Sequence, residues 1–203
     1  MRSLYQIQHF YLGLSGRGDA TVSTYRFPEP WATAEIPGPR KAAIIPRPES
    51  LVAILRRANR RLLVAGSKAL DRIEGVDTVE LIRLLHSTKL FTIVASRNTA
   101  YRLEEVGIPT VASISVYELG DRLRDSSWTG FDGVGGYDLV GFIGFPYITL
   151  WLVLSGLKHF APKISTISLD PYYHPHAYWS LPNVKGSEWY SFIKKVADSF
   201  GVM

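Results

Sequence analysis

The chain has 203 residues, of which 46% are hydrophobic and 20% charged, a balance that excludes a disordered or collagen-like protein and suffices for one folded core. It contains no cysteine, so disulfides, thiolate nucleophiles and Cys-bound zinc or iron–sulfur clusters are excluded. The formal net charge is +5, and residues 1–61 hold ten Lys or Arg against four Asp or Glu, so the positive excess lies in the first third. Such a region can contact an acidic protein or an anionic surface, or it can simply be solvated. We expect no nucleic-acid partner, because no recognition motif accompanies the arginines at 56, 57, 60 and 61.

The first 47 residues read differently from the rest of the chain. Residues 1–28 give no assignable pattern, and residues 27–42 hold four prolines, which predict an extended arm on the surface. We therefore divide the chain into an N-terminal segment with a Pro-rich arm (1–47) and a single α/β domain (48–203).

From Pro48 onwards, helices and strands alternate. Pro48 begins a helix, and capping-box spacings at Asp77/Glu80 and Ser115/Glu118 begin two more. Further helices are expected around residues 101–106, over 148–160 and from Ser187, and strands over 61–66, 90–96, 110–113, 137–144 and 164–170. Continuous apolar strands separated by helices predict a doubly wound, mainly parallel sheet of five or six strands with helices on both faces, a Rossmann-like α/β fold.

One uncharged run, residues 139–157, is long enough to cross a bilayer. Gly141, Gly144 and Pro146 interrupt it, however, so a buried strand, a turn and a buried helix explain it better than a membrane span. The first residues lack the pattern of a signal peptide. We expect a cytoplasmic protein that does not bind membranes.

Candidate ligand-binding residues follow the predicted strands, because doubly wound folds bind ligands at the carboxyl ends of their strands. Gly66 and Ser67 follow the first strand, Gly144 and Phe145 the fourth, and Asp170 the fifth. The turns could bind a phosphate through backbone amides, and the carboxylate could bind a ribose hydroxyl. The alternative is that the glycines form ordinary turns and the aspartate a loop hydrogen bond. The dinucleotide motif GxGxxG is absent.

Catalytic and metal-binding motifs are not evident. The pair His174 and His176 could hold a metal ion, but no nearby carboxylate pair completes a ligand set, so we expect these rings to pack within an aromatic loop. Neither a GxSxG nor an HExxH motif is present. We expect no catalytic residues and no metal ligands.

Five segments of the chain resemble one known family. They are AEIPGPRKA (34–42), RLLVAGSKAL (61–70), WTGFDGVGGYDLVGFIG (128–144), LKHFAP (157–162) and TISLDPYYHPHAYWSLPN (166–183). The family is the epsilon subunit of archaeal carbon monoxide dehydrogenase, part of the acetyl-CoA decarbonylase/synthase complex. The resemblance runs from about Pro30 to the C-terminus.

This resemblance implies a deoxyhypusine-synthase-like, NAD/FAD-binding type of fold. It also implies a partner, the large nickel–iron–sulfur (alpha) subunit that oxidises CO, with two large and two small subunits in the assembly. RLLVAGS and YDLVGFIG also resemble the middle domain of thiamine-diphosphate enzymes, some of which carry FAD, and an Asp-Pro pair like Asp170-Pro171 occurs there too.

Three functions are therefore compared. The first is a non-catalytic small subunit docked on the catalytic subunit through the basic first third, the arm and the aromatic loop 172–179. The second is an electron-transfer role with FAD lying across Gly66, Ser67, Gly144, Phe145 and Asp170. The third, an independent NAD- or FAD-binding enzyme, is the least favoured because no acid/base constellation accompanies the fold.

Overall fold

The computed structural model describes residues 41–201. The predicted unassigned region 1–28, and the part of the arm and of the basic first third that precedes residue 41, lie outside the described residues.

The main sheet has seven parallel strands in the order β1-β9-β8-β7-β2-β5-β6. A separate antiparallel pair joins β3 and β4. The strands are β1 (Ala43–Ile44), β2 (Arg61–Ala65), β3 (Arg72–Ile73), β4 (Val76–Asp77), β5 (Thr92–Ala95), β6 (Ala112–Ser113), β7 (Leu139–Ile143), β8 (Ser165–Ser168) and β9 (Trp179–Ser180). Six helices connect them: α1 (Pro48–Arg57), α2 (Thr78–Ser87), α3 (Arg97–Glu105), α4 (Val116–Arg124), α5 (Tyr147–Phe160) and α6 (Gly186–Asp198).

The strand order is that of a doubly wound sheet. From β2 the chain adds β5 and β6 on one side, then crosses back to add β7, β8 and β9 on the other. Six strands thus follow the order 3-2-1-4-5-6 of the Rossmann fold, and the order reverses between β2 and β7. The predicted doubly wound α/β fold is confirmed.

The sheet has seven strands rather than the predicted five or six. The difference comes from β1 and β9, which have two residues each and pair with one another at one edge. A two-residue strand is too short to show an apolar run or an alternating pattern. Ala43–Ile44 lie in the predicted N-terminal segment (1–47), and Trp179–Ser180 lie in the aromatic stretch YYHPHAYWSLPN (172–183), which was expected to be a loop.

Two of the six described helices begin at the predicted capping residues. Asp77 accepts a hydrogen bond from the Val79 amide (3.0 Å) at the start of α2, and Ser115 accepts one from the Tyr117 amide (3.3 Å) at the start of α4. The predicted cap of the last helix is wrong: α6 begins at Gly186, one residue before Ser187. There the Glu188 carboxylate accepts from the Lys185 amide (3.3 Å), which fixes the earlier start.

Two hydrophobic cores cover the sheet, one on each face. On one face α1, α2, α3 and α6 pack together, with Trp189 fully buried. On the other face α4 and α5 pack against the alternate residues of β2 and β7, such as Leu62 and Phe142. Strands covered on both faces must be apolar throughout, which is why β7 (LVGFI) reads as a continuous run.

The uncharged run 139–157 is divided as expected into β7, a turn and most of α5. Gly144 makes the turn with φ +72°, a conformation that favours glycine. Among residues 41–201, none of the helices combines the length and the apolar character that crossing a membrane requires.

Candidate functional site

The loops that follow β2 and β7 meet at the point where the strand order reverses. Gly66 donates its amide hydrogen to the Ile143 carbonyl (2.9 Å), which continues the pairing of the two strands beyond their ends. A Cβ atom on Gly66 would overlap the Gly144 carbonyl and lie 2.6 Å from the Phe145 ring, and one on Gly144 would lie 2.6 Å from the Ala69 backbone. The two glycines therefore permit a close approach of two backbones, and both are buried.

Asp170 closes this junction from the end of β8. Its side chain is 1% exposed, and its two carboxylate oxygens accept from the amides of Gly144 (2.6 Å) and Phe145 (3.3 Å). Burial raises the pKa of the Asp170 carboxyl to about 7, although the two amide donors act in the opposite direction. The amides that the sequence assigned to a phosphate thus donate to this carboxylate, and the carboxylate assigned to a ribose is already used within the protein.

An open cleft of about 460 Å³ lies next to the junction, on the side of β5 and β6. Its rim includes the starts of α3, α4 and α5, and the N-terminal end of a helix carries partial positive charge. Its charged lining residues are Arg97 and Glu118, and six side chains with hydroxyl groups also line it: Ser67, Ser96, Ser113, Ser115, Tyr117 and Thr149. The volume is in the range of small-molecule sites, and the donors suit an anionic or hydroxylated ligand.

The five predicted residues do come together, but only two reach the cleft. Ser67 and Phe145 line it, whereas Gly66, Gly144 and Asp170 form the packed junction behind it. A ligand at this edge of the sheet would therefore contact Ser67 and Phe145, and the other three would shape the wall. The proposed binding role of all five stays a prediction.

Sequence reasoning missed most of the cleft. Ser96 and Arg97 directly follow β5, and Ser113 ends β6, so all three stood at carboxyl ends of predicted strands and could have been found by the same rule. Ser115 was noted only as a helix cap. Thr99 reaches the junction from α3: its hydroxyl donates to the Gly66 carbonyl (3.0 Å) and pairs with the Ser96 hydroxyl (2.9 Å).

The two histidine rings are packed, but against α5 rather than only within the aromatic loop. His174 stacks on Tyr147 (ring centroids 4.2 Å apart), and His176 packs edge-on against Trp151 (5.6 Å). Burial lowers the pKa of His174 to about 3 and that of His176 to about 4, the latter with help from the positive charges of Lys158 and His159. Within residues 41–201, there is no group of three or more His, Cys, Asp or Glu side chains placed to bind a metal ion.

A second opening, the amino-end groove, lies at the opposite end of the strands from the cleft, where β7, β8 and β9 begin. It measures about 480 Å³ and is lined by Tyr178, Trp179, Arg57 and Lys163 among others. The rings of Tyr178 and Trp179 contact each other with centroids 4.4 Å apart, and Tyr178 is 57% exposed. This part of the predicted aromatic loop 172–179 is thus available on the surface, while His174 and His176 are buried.

These features define a Rossmann-like α/β protein with a polar cleft at the carboxyl ends of its strands and an aromatic, basic groove at their amino ends. Residues 24–197 match the family described as CO dehydrogenase beta subunit/acetyl-CoA synthase epsilon subunit. The chain belongs to this family.

Individual relatives agree with the family match. The chain is 35% identical to "Acetyl-CoA decarbonylase/synthase complex subunit epsilon" of Methanothermobacter thermautotrophicus, over 82% of this chain and 93% of the relative. It is 35% identical to "Acetyl-CoA decarbonylase/synthase complex subunit epsilon 1" of Archaeoglobus fulgidus (82% and 89%) and 33% identical to the epsilon subunit of Methanothrix soehngenii (80% and 85%). The resemblance found in the sequence is confirmed.

Proposed function

We propose that this chain is the non-catalytic small subunit of a carbon monoxide dehydrogenase component and that it acts in the cytoplasm, where it binds and stabilises the large nickel–iron–sulfur subunit. The match of residues 24–197 to the family described as CO dehydrogenase beta subunit/acetyl-CoA synthase epsilon subunit supports the proposal. The sequence agrees, because a chain without cysteine has no thiolates for an iron–sulfur cluster, so the metal centres belong to the partner. We expect the assembly to contain two large and two small subunits.

Within residues 41–201, the amino-end groove is the surface that we propose for contact with the large subunit. Aromatic side chains and arginine are enriched in protein interfaces, and here Tyr178 and Trp179 lie beside Arg57. The basic first third and the arm remain candidate contacts as well.

Affinity for the cognate large subunit tests the proposal. We expect the full chain to co-purify with that subunit and to raise its melting temperature, because a partner that binds only the folded state stabilises it. The variant Tyr178→Ala should weaken binding roughly tenfold or more, the loss seen for an exposed aromatic residue that becomes buried in an interface. The matched control is Tyr101→Ala, which removes another exposed tyrosine from α3, near the opposite edge of the sheet. A chain that stays monodisperse and unbound beside an intact large subunit contradicts the proposal.

The cleft supports a second candidate function, binding of a nucleotide such as FAD for electron transfer. What favours it is the set of hydroxyl groups around Arg97 at the carboxyl ends of β2, β5 and β6. FAD would supply redox chemistry that the side chains lack, with its phosphates near Ser67, Ser96 and Arg97. An independent NAD- or FAD-dependent enzyme has no comparable observation in its favour.

Thermal shift measurements with FAD and with ADP test the second function. Binding should raise the melting temperature of the chain, and Arg97→Ala should abolish that rise. The matched control is Arg102→Ala, on the same helix, whose guanidinium instead pairs with Glu105 (3.1 Å). An unchanged melting temperature at high concentrations of both nucleotides contradicts the proposal.

A further inference from the structure

The amino-end groove carries two positive charges that no carboxylate of the described residues balances. Arg57, from the last turn of α1, and Lys163, just before β8, both line the groove and are exposed. Within residues 41–201, neither side chain takes part in an ion pair. The groove thus presents a guanidinium and an ammonium group on its surface.

The acidic residue that lines the groove is already occupied by hydrogen bonds. One carboxylate oxygen of Asp138 accepts from the backbone amide (2.8 Å) and the side-chain amide (3.3 Å) of Asn59, and the other accepts from the Arg60 amide (2.9 Å). The guanidinium of Arg61 donates to two carbonyls at the end of α1, so the negative end of this helix is compensated as well. The charges of Arg57 and Lys163 are therefore not needed to stabilise the fold at this point.

The rest of the groove offers apolar and aromatic surface. Ile54, Ala58 and Leu139 contribute aliphatic groups, and the Tyr178 and Trp179 rings meet edge-on beside them. Aromatic residues next to an arginine are typical of the positions where binding energy concentrates in protein interfaces. The groove can therefore hold an apolar side chain while its two cations bind carboxylates.

We propose that the amino-end groove binds an extended acidic segment of the large subunit, whose carboxylates pair with Arg57 and Lys163 and whose apolar side chain packs against Tyr178. The inference rests on the proposed function, because it names the part of that partner that occupies the groove. The groove crosses the starts of β7, β8 and β9, which are neighbours in the sheet. Two strand spacings amount to about 10 Å, which roughly three extended residues span, so a segment of about five residues fills it.

A nucleic-acid strand fits these residues less well than a peptide does. Phosphate backbones are bound by many cations, whereas this groove provides two and places Asp138 beside them. The aliphatic lining from α1 and β7 suits a leucine or phenylalanine side chain, and carboxylates on either side of such a residue match the two cations.

Titration calorimetry with the full chain and the cognate large subunit tests the inference. At low salt, Arg57→Gln/Lys163→Gln should weaken binding roughly tenfold or more, because both charge pairs across the interface are lost. The difference from the wild type should shrink as added salt screens the pairs. The variant Arg57→Lys/Lys163→Arg keeps both charges and should bind within about threefold of the wild type.

The matched control is Arg47→Gln/Lys68→Gln, which makes the same change in net charge. Arg47 precedes α1 and Lys68 follows β2, so both lie at the carboxyl ends of the strands, and both are exposed. Their replacement should change the affinity less than about twofold, since neither touches the groove. Melting temperatures show that each variant is folded.

Carbodiimide coupling of the native complex identifies the occupant. The reagent joins a lysine amine to a carboxylate with loss of water, so Lys163 should be linked to a peptide of the large subunit that contains several Asp or Glu residues. Lys163→Arg should abolish this cross-link and leave the affinity nearly unchanged, because arginine keeps the charge but is not coupled.

Four outcomes overturn the inference. If the wild type binds and Arg57→Gln/Lys163→Gln binds equally well, the acidic segment is wrong while the proposed function stands. A loss of affinity in Tyr178→Ala but not in the charge variants assigns the groove to an apolar segment. Binding of a single-stranded RNA oligonucleotide that is tighter than that of the large subunit, and is lost in the double variant, assigns it to nucleic acid. A wild-type chain that fails to bind an intact large subunit contradicts the proposed function and the inference together.

Discussion

The carboxylate of Asp170 accepts a hydrogen bond of 2.6 Å from the backbone amide of Gly144, 26 residues earlier in the chain. This bond connects the loops after β7 and β8 behind the cleft and holds Phe145 at its wall. Removing it with Asp170→Ala leaves buried amides unpaired, which should lower the free energy of unfolding by about 1–3 kcal/mol. Urea denaturation measures the change. The exposed pair Lys68–Asp71 offers the control Asp71→Ala, which should change stability by less than about 1 kcal/mol. Similar losses in both variants would show that the Asp170 hydrogen bonds contribute no more to stability than an exposed ion pair.

The pH dependence of stability should separate Asp170 from the two buried histidines. The folded carboxyl keeps its proton up to about pH 7, whereas the unfolded one loses it near pH 4, so this group makes the protein less stable as pH rises through that window. The folded histidines stay neutral down to about pH 3 and 4, whereas the unfolded ones bind protons below about 6.5, so they make the protein more stable as pH rises towards that value. The two contributions oppose each other in the wild-type chain.

Asp170→Asn removes one side of this opposition. Between about pH 4.5 and 6.5, its free energy of unfolding should rise with pH more steeply than that of the wild type, by about 1.4 kcal/mol per pH unit. Urea denaturation at a series of pH values gives both slopes. Parallel curves for the two proteins would mean that Asp170 titrates near its ordinary pKa.

Gly66→Ala should disturb the junction through sterics alone. The new methyl group would overlap the Gly144 carbonyl and the Phe145 ring, and the backbone carbonyl cannot move aside easily. We expect a loss of about 1–3 kcal/mol in unfolding free energy, with Phe145 displaced towards the cleft. Gly156→Ala is the matched control, because it lies in α5 with open space around it and should gain up to about 1 kcal/mol from helix propensity. Thermal denaturation of both variants measures the change, and a melting temperature of Gly66→Ala equal to that of the wild type would contradict the prediction.

Trp189→Phe tests the bond that fixes α6 to the end of β8. The indole N–H donates to the Leu169 carbonyl (2.7 Å), and the side chain is fully buried. The phenylalanine keeps most of the apolar contact but leaves the carbonyl unpaired, so a loss of about 1–3 kcal/mol is expected on urea denaturation. An unchanged midpoint would show that the carbonyl finds another donor.

The fold could be predicted because its central strands are buried on both faces and two of its helices, α2 and α4, begin at recognisable caps. β2, β5 and β7 each read as a largely apolar run, and Ser115 marked the start of α4 correctly. The edge strands β1 and β9 could not be predicted, because their pairing depends on contacts between distant segments rather than on a local pattern.

The candidate site was predicted only in part, for a related reason. The rule that ligands lie at strand ends located Ser67 and Phe145 at the cleft, but it could not tell them from Gly66, Gly144 and Asp170, which follow the same strands. Which residue faces solvent depends on how closely two loops approach, and that distance is set by side-chain volumes at the junction. The strand order, which the sequence left open, decides which loops meet.

Because all the strands of the main sheet run in one direction, the polar cleft and the amino-end groove open at opposite ends of the molecule. A protein docked on Tyr178 and Trp179 would leave the mouth beside Arg97 unobstructed. Assembly and small-molecule exchange would then proceed without competition, and occupancy at one end could be measured while the other is saturated.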